Sequence, residues 1–540
     1  MLLFIHRPFE ALASNFGASA DEVKLIFSFL ISFPLAGLLK RIPDSRPDAK
    51  NLFSIGVSLF YLVGLFDLWD GIQTLLISAV GAYCIAKFLR SSPYMPWVGF
   101  VFVMGHMSIS HIARQAADSP SSVDVTGAQM VLLMKLSAFC WNVADGQLAP
   151  DLLSDFQRDH MLKELPSLLD YTGWVFFFPA LFAGPSFDFT DYRRWLDTSM
   201  FDVSPQVDPS KKPPVRRKRK IPRSGAPAAW KAFSGLFWIG LFVALSGSYN
   251  PGTLTADSFV EYGFFRRVWI MHVVNFVARL KYYGVWSLTE GSCILTGLGY
   301  NGVDPVTGKI SWNRLQNIDA WAVETAQNPR GYLGGWNINT SNWLRNYIYL
   351  RVTPRGKKPG FRASMATFGT SALWHGFYPG YYLAFVLASF IQTVAKNFRR
   401  HIRPFFLDPI TGNPTPKKKY YDFFSYLATQ LTFSFTTTPF LVLSFSGSIL
   451  AWRRVYFYAV IWTLASLLFF SSPGKAALRK QLEKRQGRVS ARLVRSISTD
   501  SLTGKEPILG ISKDIEDDIN EAVREIRAEV EARQKKQKAS

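Results

Sequence analysis

Cysteine is scarce in this 540-residue chain, which contains three cysteines. Cys84, Cys140 and Cys293 all fall inside apolar stretches, and none belongs to a C-x-x-C pair. The sequence therefore offers neither a disulfide framework nor paired thiolate ligands for a metal ion. Small disulfide-stabilised scaffolds and cysteine-ligated metal proteins are excluded.

Charged residues are also few, at 19% of the chain against about 25% in average proteins. Apolar residues make up 48% and aromatic residues 15%, which excludes a disordered or fibrous protein. The mean hydropathy of +0.08 averages strongly apolar segments with a polar tail. This profile is typical of a polytopic membrane protein with a cytosolic extension.

Apolar runs recur along the chain, and a membrane-spanning helix needs about 20 mostly apolar residues. About ten or eleven spans are predicted, and the opening segment lacks the basic region of a signal peptide, so the first span is expected to be an uncleaved anchor. The candidate segments from which these spans are drawn are 24–39, 52–68, 73–89, 97–112, 129–145, 171–185, 230–247, 268–286, 365–395 (two helices), 424–450 (one or two) and 455–472.

A strongly basic segment, 211–223, separates two of these spans, with eight cationic residues among thirteen. One interpretation is a solvated linker that obeys the positive-inside rule, and the other is a patch that binds anionic lipid headgroups. Both place the loop in the cytosol. A nuclear or nucleic-acid-binding signal makes no sense between membrane spans, so nucleic acid is not expected as a partner.

The tail after Pro473 has 16 Lys and Arg against 11 Asp and Glu, and its apolar runs stop. Apolar residues spaced by three or four between 515 and 530 predict an amphipathic helix. Lys536 and Lys538 stand fifth and third from the end, which resembles a dilysine retrieval signal of the endoplasmic reticulum. We expect a cytosolic tail on a protein of that membrane.

Two polar clusters lie at or near membrane depth, where polar groups are costly and suggest function. Residues 335–349 include four Asn and two Trp, and residues 371–382 place His375 at the end of an apolar run, before a Gly and a Pro. A neutral imidazole can act as a general base near pH 7. The alternative is a hydrogen-bonded histidine at the membrane interface.

Two formal motifs do not indicate the functions usually attached to them. The glycines of 297–302 match G-x-G-x-x-G but follow an apolar aromatic span, so we expect a backbone bend and not a dinucleotide site. His106 and His111 are five residues apart, which misses the spacing that brings two metal ligands onto one helical face. His272 is expected to be a packing or pathway residue.

Several segments between about 20 and 472 together form a recognisable set of motifs. They are Trp336-Asn337-Ile338-Asn339-Thr340 with Trp343 and Tyr347, Trp374-His375-Gly376 with Gly380-Tyr381, Lys281 to Trp286, Glu290-Gly291, 297–302, and 178–185 with Tyr192. In these motifs the sequence resembles the membrane-bound O-acyltransferases, specifically their lysophospholipid acyltransferase branch. The steroid-acylating branch has a signature, F-Y-x-D-W-W-N, that is not found here.

The resemblance implies that His375 is the catalytic base and that Asn337 is its partner, with Asn339 and Asn342 as alternatives to Asn337. It implies acyl-CoA as co-substrate, a lysophospholipid as acceptor, and no cofactor or metal. Residues expected to contact the substrates are Trp336, Asn339, Trp343, Trp374, Glu290 and Arg345, and CoA phosphates are expected to meet Arg345, Arg351, Arg355, Lys357 and Lys358. For any single tryptophan, core packing is the alternative role.

The expected architecture is an all-α polytopic membrane protein with helices around an intramembrane reaction chamber. Its parts are an N-terminal segment (1–22), a first transmembrane helix group (23–200), a basic cytosolic loop (201–228), a catalytic transmembrane core (229–472) and a charged cytosolic tail (473–540).

The expected activity transfers a fatty acyl group to the free glycerol hydroxyl, at sn-2, of lysophosphatidylcholine or lysophosphatidylethanolamine in phospholipid remodelling. The alternatives are a lipid transporter or scramblase, and an acyltransferase acting on sterol, diacylglycerol or protein. The oligomeric state stays open.

Overall fold

The fold was obtained as a computed structural model, which describes residues 3–16, 19–117, 124–212, 219–353, 361–409 and 411–486. Within these ranges the regular structure is helical, with only isolated bridges such as Val303–Ile310. The predicted all-α class is therefore confirmed.

The α-helices are numbered here in chain order. In the first half they are α1 (Leu3–Phe16), α2 (Ala20–Leu39), α3 (Pro47–Leu59), α4 (Trp69–Phe88), α5 (Met95–Ala116), α6 (Thr126–Asp145), α7 (Asp155–His160), α8 (Leu168–Val175), α9 (Phe189–Leu196), α10 (Gly225–Ser246), α11 (Pro251–Thr255) and α12 (Phe264–Thr296). They continue with α13 (Ala320–Glu324), α14 (Pro329–Gly335), α15 (Ile338–Leu344), α16 (Phe361–His375), α17 (Pro379–His401), α18 (Lys418–Val442), α19 (Phe445–Arg454), α20 (Tyr458–Ser471) and α21 (Pro473–Gln486).

Four segments of the described chain are long and apolar enough to cross a membrane: Ala20–Leu39, Trp69–Phe88, Met95–Ala116 and Gly225–Thr255. The pair α19 and α20, bent by 80°, would make a fifth. The long helices α12 and α18 are not among them, and both carry polar side chains such as Asn275 and Gln430 within the helix. The predicted number of ten or eleven spans stays a prediction.

The segment 171–185, expected to be one span, is not a single helix. Helix α8 ends at Val175 after eight residues, about 12 Å at the usual rise, and a short 3-10 turn follows at Phe178–Ala180. Pro179 and Pro185 lack the N–H that a continuous helix needs, and Gly184 has a left-handed φ of 77°. The apolar run was misleading because it forms a buried, folded-back segment.

The described chain divides into two compact units, each discontinuous in sequence. Unit 1 contains residues 1–245, 279–318 and 338–343, and unit 2 contains 246–278, 319–337 and 344–540. The linear division of the chain expected from the sequence stays a prediction.

Unit 1 is built around α6, which has buried residues on all of its faces. Large rings fill its core, among them Trp174, Tyr192 and Trp195, all fully buried. Lys135 of α6 lies in this apolar interior, with its Nζ 4.8 Å from the centre of the Trp174 ring, and donates a hydrogen bond to the Trp174 carbonyl. The carbonyl and the ring give the buried ammonium the partners that it needs.

Unit 2 packs α17 to α20 against the N-terminal half of α12. Trp452 of α19 stacks on Phe435 of α18 at 4.8 Å, and its Nε1 donates to the Phe435 carbonyl at 2.9 Å. Met271 of α12 and Ala459 of α20 are fully buried in the same cluster. This core fixes the helices that carry the site described next.

Candidate active site

His375 is the last residue of α16, at a sharp change of chain direction. Gly376 follows with a φ of 113°, a left-handed conformation that glycine adopts without strain, and its N–H caps the helix on Ala372 and Leu373 carbonyls. Pro379 then begins α17. The sequence Gly-Phe-Tyr-Pro therefore ends one helix at His375 and starts the next four residues later, as expected from the Gly and Pro break.

Aromatic rings enclose the half-buried imidazole of His375. Trp374 meets it edge-on, with ring centres 4.8 Å apart, and Phe440 of α18 does so at 5.1 Å. Tyr381 and Phe385, one turn apart on α17, lie at 5.5 Å each. These four rings form the aromatic enclosure, which restricts water around a residue type that can accept a proton.

The N-terminus of α17 lies directly against the C-terminal end of α18. The Gly380 N–H donates to the Leu443 carbonyl at 2.9 Å, and a side chain at Gly380 would meet the Pro439 carbonyl oxygen at 2.1 Å. Pro439 lies inside α18 and immediately precedes Phe440. Close approach of the two backbones at Gly380 thus places rings from both helices on the imidazole.

Polar contacts between α12 and α18 lie just before Pro439 in the sequence. His272 Nδ1 and Ser434 Oγ are hydrogen-bonded at 2.9 Å. Asn275 donates from Nδ2 to Thr438 Oγ1 at 2.9 Å, and its Oδ1 accepts from Thr437 Oγ1 at 2.8 Å. Asn275 was missed by sequence reasoning, although a buried polar residue inside an apolar run was the available signal. These bonds fix α18 just before Phe440.

Asn337 is held in an unusual backbone conformation between α14 and α15. Its φ is +42°, a region that few residues other than glycine adopt and that Asn tolerates better than most. Strained backbone of this kind is concentrated at functional sites. Asn337 and His375 both belong to unit 2, so the two residues expected to do the chemistry are part of one folded body.

Three other expected site residues also lie in unit 2. Trp374 is buried and packs on His375, while Trp336 is half-buried and ends α14. Arg345 begins the π-helical segment Arg345–Tyr349 and donates to Asn346 Oδ1 at 3.1 Å. Their roles in binding substrate stay predictions.

The three other residues expected to contact the substrates, Asn339, Trp343 and Glu290, belong to unit 1, where each has a packing partner. The Asn339 side chain donates to the Leu315 carbonyl at 3.4 Å. Trp343 is buried and donates from Nε1 to Ser137 Oγ at 2.9 Å. Glu290, 1% exposed, accepts from Lys231 Nζ at 2.9 Å. These contacts are structural, and a role in substrate binding stays a prediction.

Other features noted in the sequence have separate outcomes. Gly297 and Gly302 have left-handed φ values of 102° and 86° in a turn after α12, in line with the expected bend. The cations Arg355, Lys357 and Lys358 lie outside the described residues, and so do residues 213–218 of the basic segment. The tail from residue 487 also lies outside them, together with the amphipathic helix and the dilysine pair expected there. The start of the tail forms α21, where Arg485 donates to the Leu407 carbonyl at 3.1 Å.

In the described part of the chain, no group of three or more His, Cys, Asp or Glu side chains is arranged to hold a metal ion. The candidate site contains a histidine in an aromatic enclosure, with a strained asparagine in the same unit. A histidine in this setting can act as a general base, and this role of His375 stays a prediction.

Comparison with known proteins gives a consistent result. The sequence pattern that defines the membrane-bound O-acyltransferase family matches residues 117–438, a range that includes both Asn337 and His375. The chain is 44% identical to a lysophospholipid acyltransferase of Schizosaccharomyces pombe over 90% of its own length and 93% of the relative's. It is 42% identical to a lysophospholipid acyltransferase of Saccharomyces cerevisiae, covering 85% of this chain and 75% of that one.

A human relative, membrane-bound glycerophospholipid O-acyltransferase 1, is 30% identical over 87% of this chain and 93% of its own. The resemblance drawn from the sequence motifs is confirmed by these matches. The chain belongs to the membrane-bound O-acyltransferase family.

Proposed function

We propose that the chain is an acyl-CoA:lysophospholipid O-acyltransferase that acts in phospholipid remodelling. The acceptor is the free glycerol hydroxyl, at sn-2, of a lysophospholipid such as lysophosphatidylcholine or lysophosphatidylethanolamine. The observation that carries the proposal is the half-buried imidazole of His375 in its aromatic enclosure, on the segment that the family pattern covers. The names of the relatives at 42–44% identity support the choice of acceptor.

The chemistry assigned to His375 is general base and then general acid. The imidazole takes the proton of the glycerol hydroxyl as the oxygen attacks the thioester carbonyl, which forms the new C–O bond. The C–S bond then breaks, the acyl group stays on the glycerol as an ester, and the proton leaves with the CoA thiol. This direct transfer requires no acyl-enzyme intermediate, and positioned proton transfer of this kind contributes about 10²–10⁴-fold.

Asn337 is assigned the second role, hydrogen bonding to the acceptor hydroxyl or to the developing oxyanion. Its strained backbone at φ +42° supports this assignment, because strain is retained where the position of a group matters for function. An amide donor that is already fixed in place stabilises the oxyanion without reorganisation in the transition state.

The aromatic enclosure supports the reaction by excluding water, since the thioester would otherwise be hydrolysed. Trp336 and Trp374 are proposed to line the path of the acyl chain or to contact a choline headgroup by a cation–π interaction. Arg345 is proposed to meet the phosphates of CoA. We place these groups in a chamber among ten or eleven membrane helices of the endoplasmic reticulum, with the tail after 473 in the cytosol.

The proposal is tested with the full chain purified and reconstituted in nanodiscs. Oleoyl-CoA is supplied with lysophosphatidylcholine, lysophosphatidylethanolamine, cholesterol, diacylglycerol or no acceptor, and free CoA and acylated product are measured. We expect CoA release only with a lysophospholipid, in equal amount to the diacyl product. Ester formation on cholesterol or diacylglycerol instead would assign the protein to another branch of acyltransferases. Absence of CoA release with every acceptor would favour lipid transport as the function.

A further inference from the structure

A groove in unit 1, far in sequence from His375, has the dimensions of a lipid site. It lies between α4 and the segment around α8 and encloses about 310 Å³. Ligand pockets begin at about 300 Å³. Its lining is apolar apart from a few groups and includes Leu76, Val80, Phe88 and Leu168, with Lys87 at one end.

Two tyrosines hold the walls of the groove together. The Tyr83 hydroxyl donates to the Pro166 carbonyl at 2.9 Å, and the Tyr171 hydroxyl donates to the Ala79 carbonyl at 2.8 Å. Their rings lie 5.0 Å apart. These two hydrogen bonds connect α4 to the segment around α8. Because both hydroxyls are occupied by backbone carbonyls, the two tyrosines present mainly their apolar rings to the groove.

The length of the groove along α4 matches the hydrocarbon depth of one leaflet of a bilayer. Helix α4 is among the segments long and apolar enough to span a membrane. From Leu76 to Phe88 the groove follows it for about 18 Å at 1.5 Å per residue. One leaflet contributes about 15 Å of hydrocarbon, half of the usual core thickness. A single extended acyl chain therefore fits from the membrane surface to the midplane.

Basic residues collect at the end of α4 where the headgroup of such a lipid would lie. Lys87 is exposed at the mouth of the groove, and Arg90 follows within one turn. The Arg90 guanidinium donates to the Lys163 carbonyl, so the backbone of a third, exposed basic residue lies at the same end. Lys87 also complements the dipole of α4, but the nearby Arg90 adds a second cation beyond what that effect requires. Basic residues at headgroup depth attract anionic lipid.

We propose that this groove binds one membrane phospholipid with an anionic headgroup. One acyl chain occupies the apolar groove from Leu76 to Phe88, and the phosphate lies on Lys87 and Arg90. The site is separate in sequence from the residues assigned to chemistry and does not depend on which acceptor the enzyme uses.

The test is native mass spectrometry of the full chain in detergent with added phosphatidylglycerol or phosphatidylcholine, each with palmitoyl and oleoyl chains. For wild type we expect one tightly retained phosphatidylglycerol, bound more strongly than phosphatidylcholine. Val80→Trp, at a 56% exposed position, should fill the groove and remove the tight lipid of either type. Lys87→Gln should weaken phosphatidylglycerol by about fivefold and leave phosphatidylcholine unchanged.

Two variants serve as matched controls. Ile77→Trp adds the same ring at a position on α4 that is 53% exposed and does not line the groove. Lys309→Gln removes an exposed lysine from a loop of the same unit. Both should retain lipid as wild type does, with all variants checked for an unchanged melting temperature. Equal retention by Val80→Trp and Ile77→Trp, equal binding of both lipids by wild type, or no effect of Lys87→Gln would overturn the proposal.

Discussion

Replacing Gly380 with alanine should displace the rings of the aromatic enclosure, by a distance that follows from the backbone contacts of Gly380. The added Cβ would lie 2.1 Å from the Pro439 carbonyl oxygen and 2.9 Å from the Leu443 carbonyl oxygen. Both obstacles are backbone atoms, which have no alternative rotamer. The N-terminus of α17 must therefore move away from the C-terminal end of α18 by roughly 1 Å to restore an ordinary contact distance.

That movement displaces the aromatic rings around the His375 imidazole. Tyr381 follows Gly380 directly, Phe385 lies one turn further on α17, and Phe440 follows Pro439. A misplacement of about 1 Å in such a site can cost about 100-fold in rate. Overpacking should also lower the free energy of unfolding by about 1–3 kcal/mol. We expect kcat to fall by about 100-fold in protein that still folds.

The assay follows CoA release from oleoyl-CoA and lysophosphatidylcholine in nanodiscs, together with the melting temperature of each variant. Gly369→Ala in α16 is the matched control, because nothing lies within 4 Å of its new Cβ. It should keep wild-type turnover and gain a little stability from helix propensity. Phe440→Leu removes one ring without a backbone clash and should lower kcat by about tenfold. Turnover of Gly380→Ala within twofold of wild type would refute this reasoning.

Three other variants have expected outcomes. Asn275→Ala loses its bonds to two threonine hydroxyls and, at about 0.6 kcal/mol for each bond in a membrane protein, should lower the free energy of unfolding by about 1 kcal/mol in a denaturant titration. Asn337→Ala should lower kcat by about 100-fold or more, whereas Asn342→Ala, at an exposed position, should stay within twofold; equal losses would remove Asn337 from the mechanism. Hydrogen bonds from Arg194 lower the pKa of the Asp159 carboxyl, so this pair stabilises the fold above the ordinary carboxyl pKa and the effect is lost as the pH falls through the lowered value. Asp159→Asn should therefore lower the melting temperature more at pH 7 than at pH 3, and a constant difference across that range would contradict the pairing.

Much of the helical framework could be predicted from the sequence. The two helices expected within 365–395 are α16 and α17, and the break between them lies where His375-Gly376 and Pro379 indicate it. Apolar length and helix-ending residues are local properties, so they can be read without the fold. The same reasoning failed at 171–185, because an apolar run bounded by prolines packs equally well as a folded-back buried segment.

The arrangement of the site was less predictable, since it depends on contacts between segments distant in sequence. The motif 336–347 is continuous in sequence, yet in the fold Asn337 belongs to unit 2 and Asn339 to unit 1. The left-handed backbone of Asn337 and the close approach at Gly380 follow from neighbouring elements and leave no pattern in a single sequence. Glu290 pairs with Lys231 of α10, a partner distant in sequence that the motif does not indicate, and its predicted role as a substrate contact stays a prediction.

The central claim is that the His375 imidazole transfers the proton of the acceptor hydroxyl. The most direct measurement compares CoA release by wild type, His375→Ala and His401→Ala in nanodiscs with oleoyl-CoA and lysophosphatidylcholine, at matched protein abundance and melting temperature. His401 is a histidine at the far end of α17, so its replacement controls for loss of an imidazole. We predict that His375→Ala loses turnover by at least about 100-fold while His401→Ala stays within twofold. Near-wild-type turnover by His375→Ala would contradict the account.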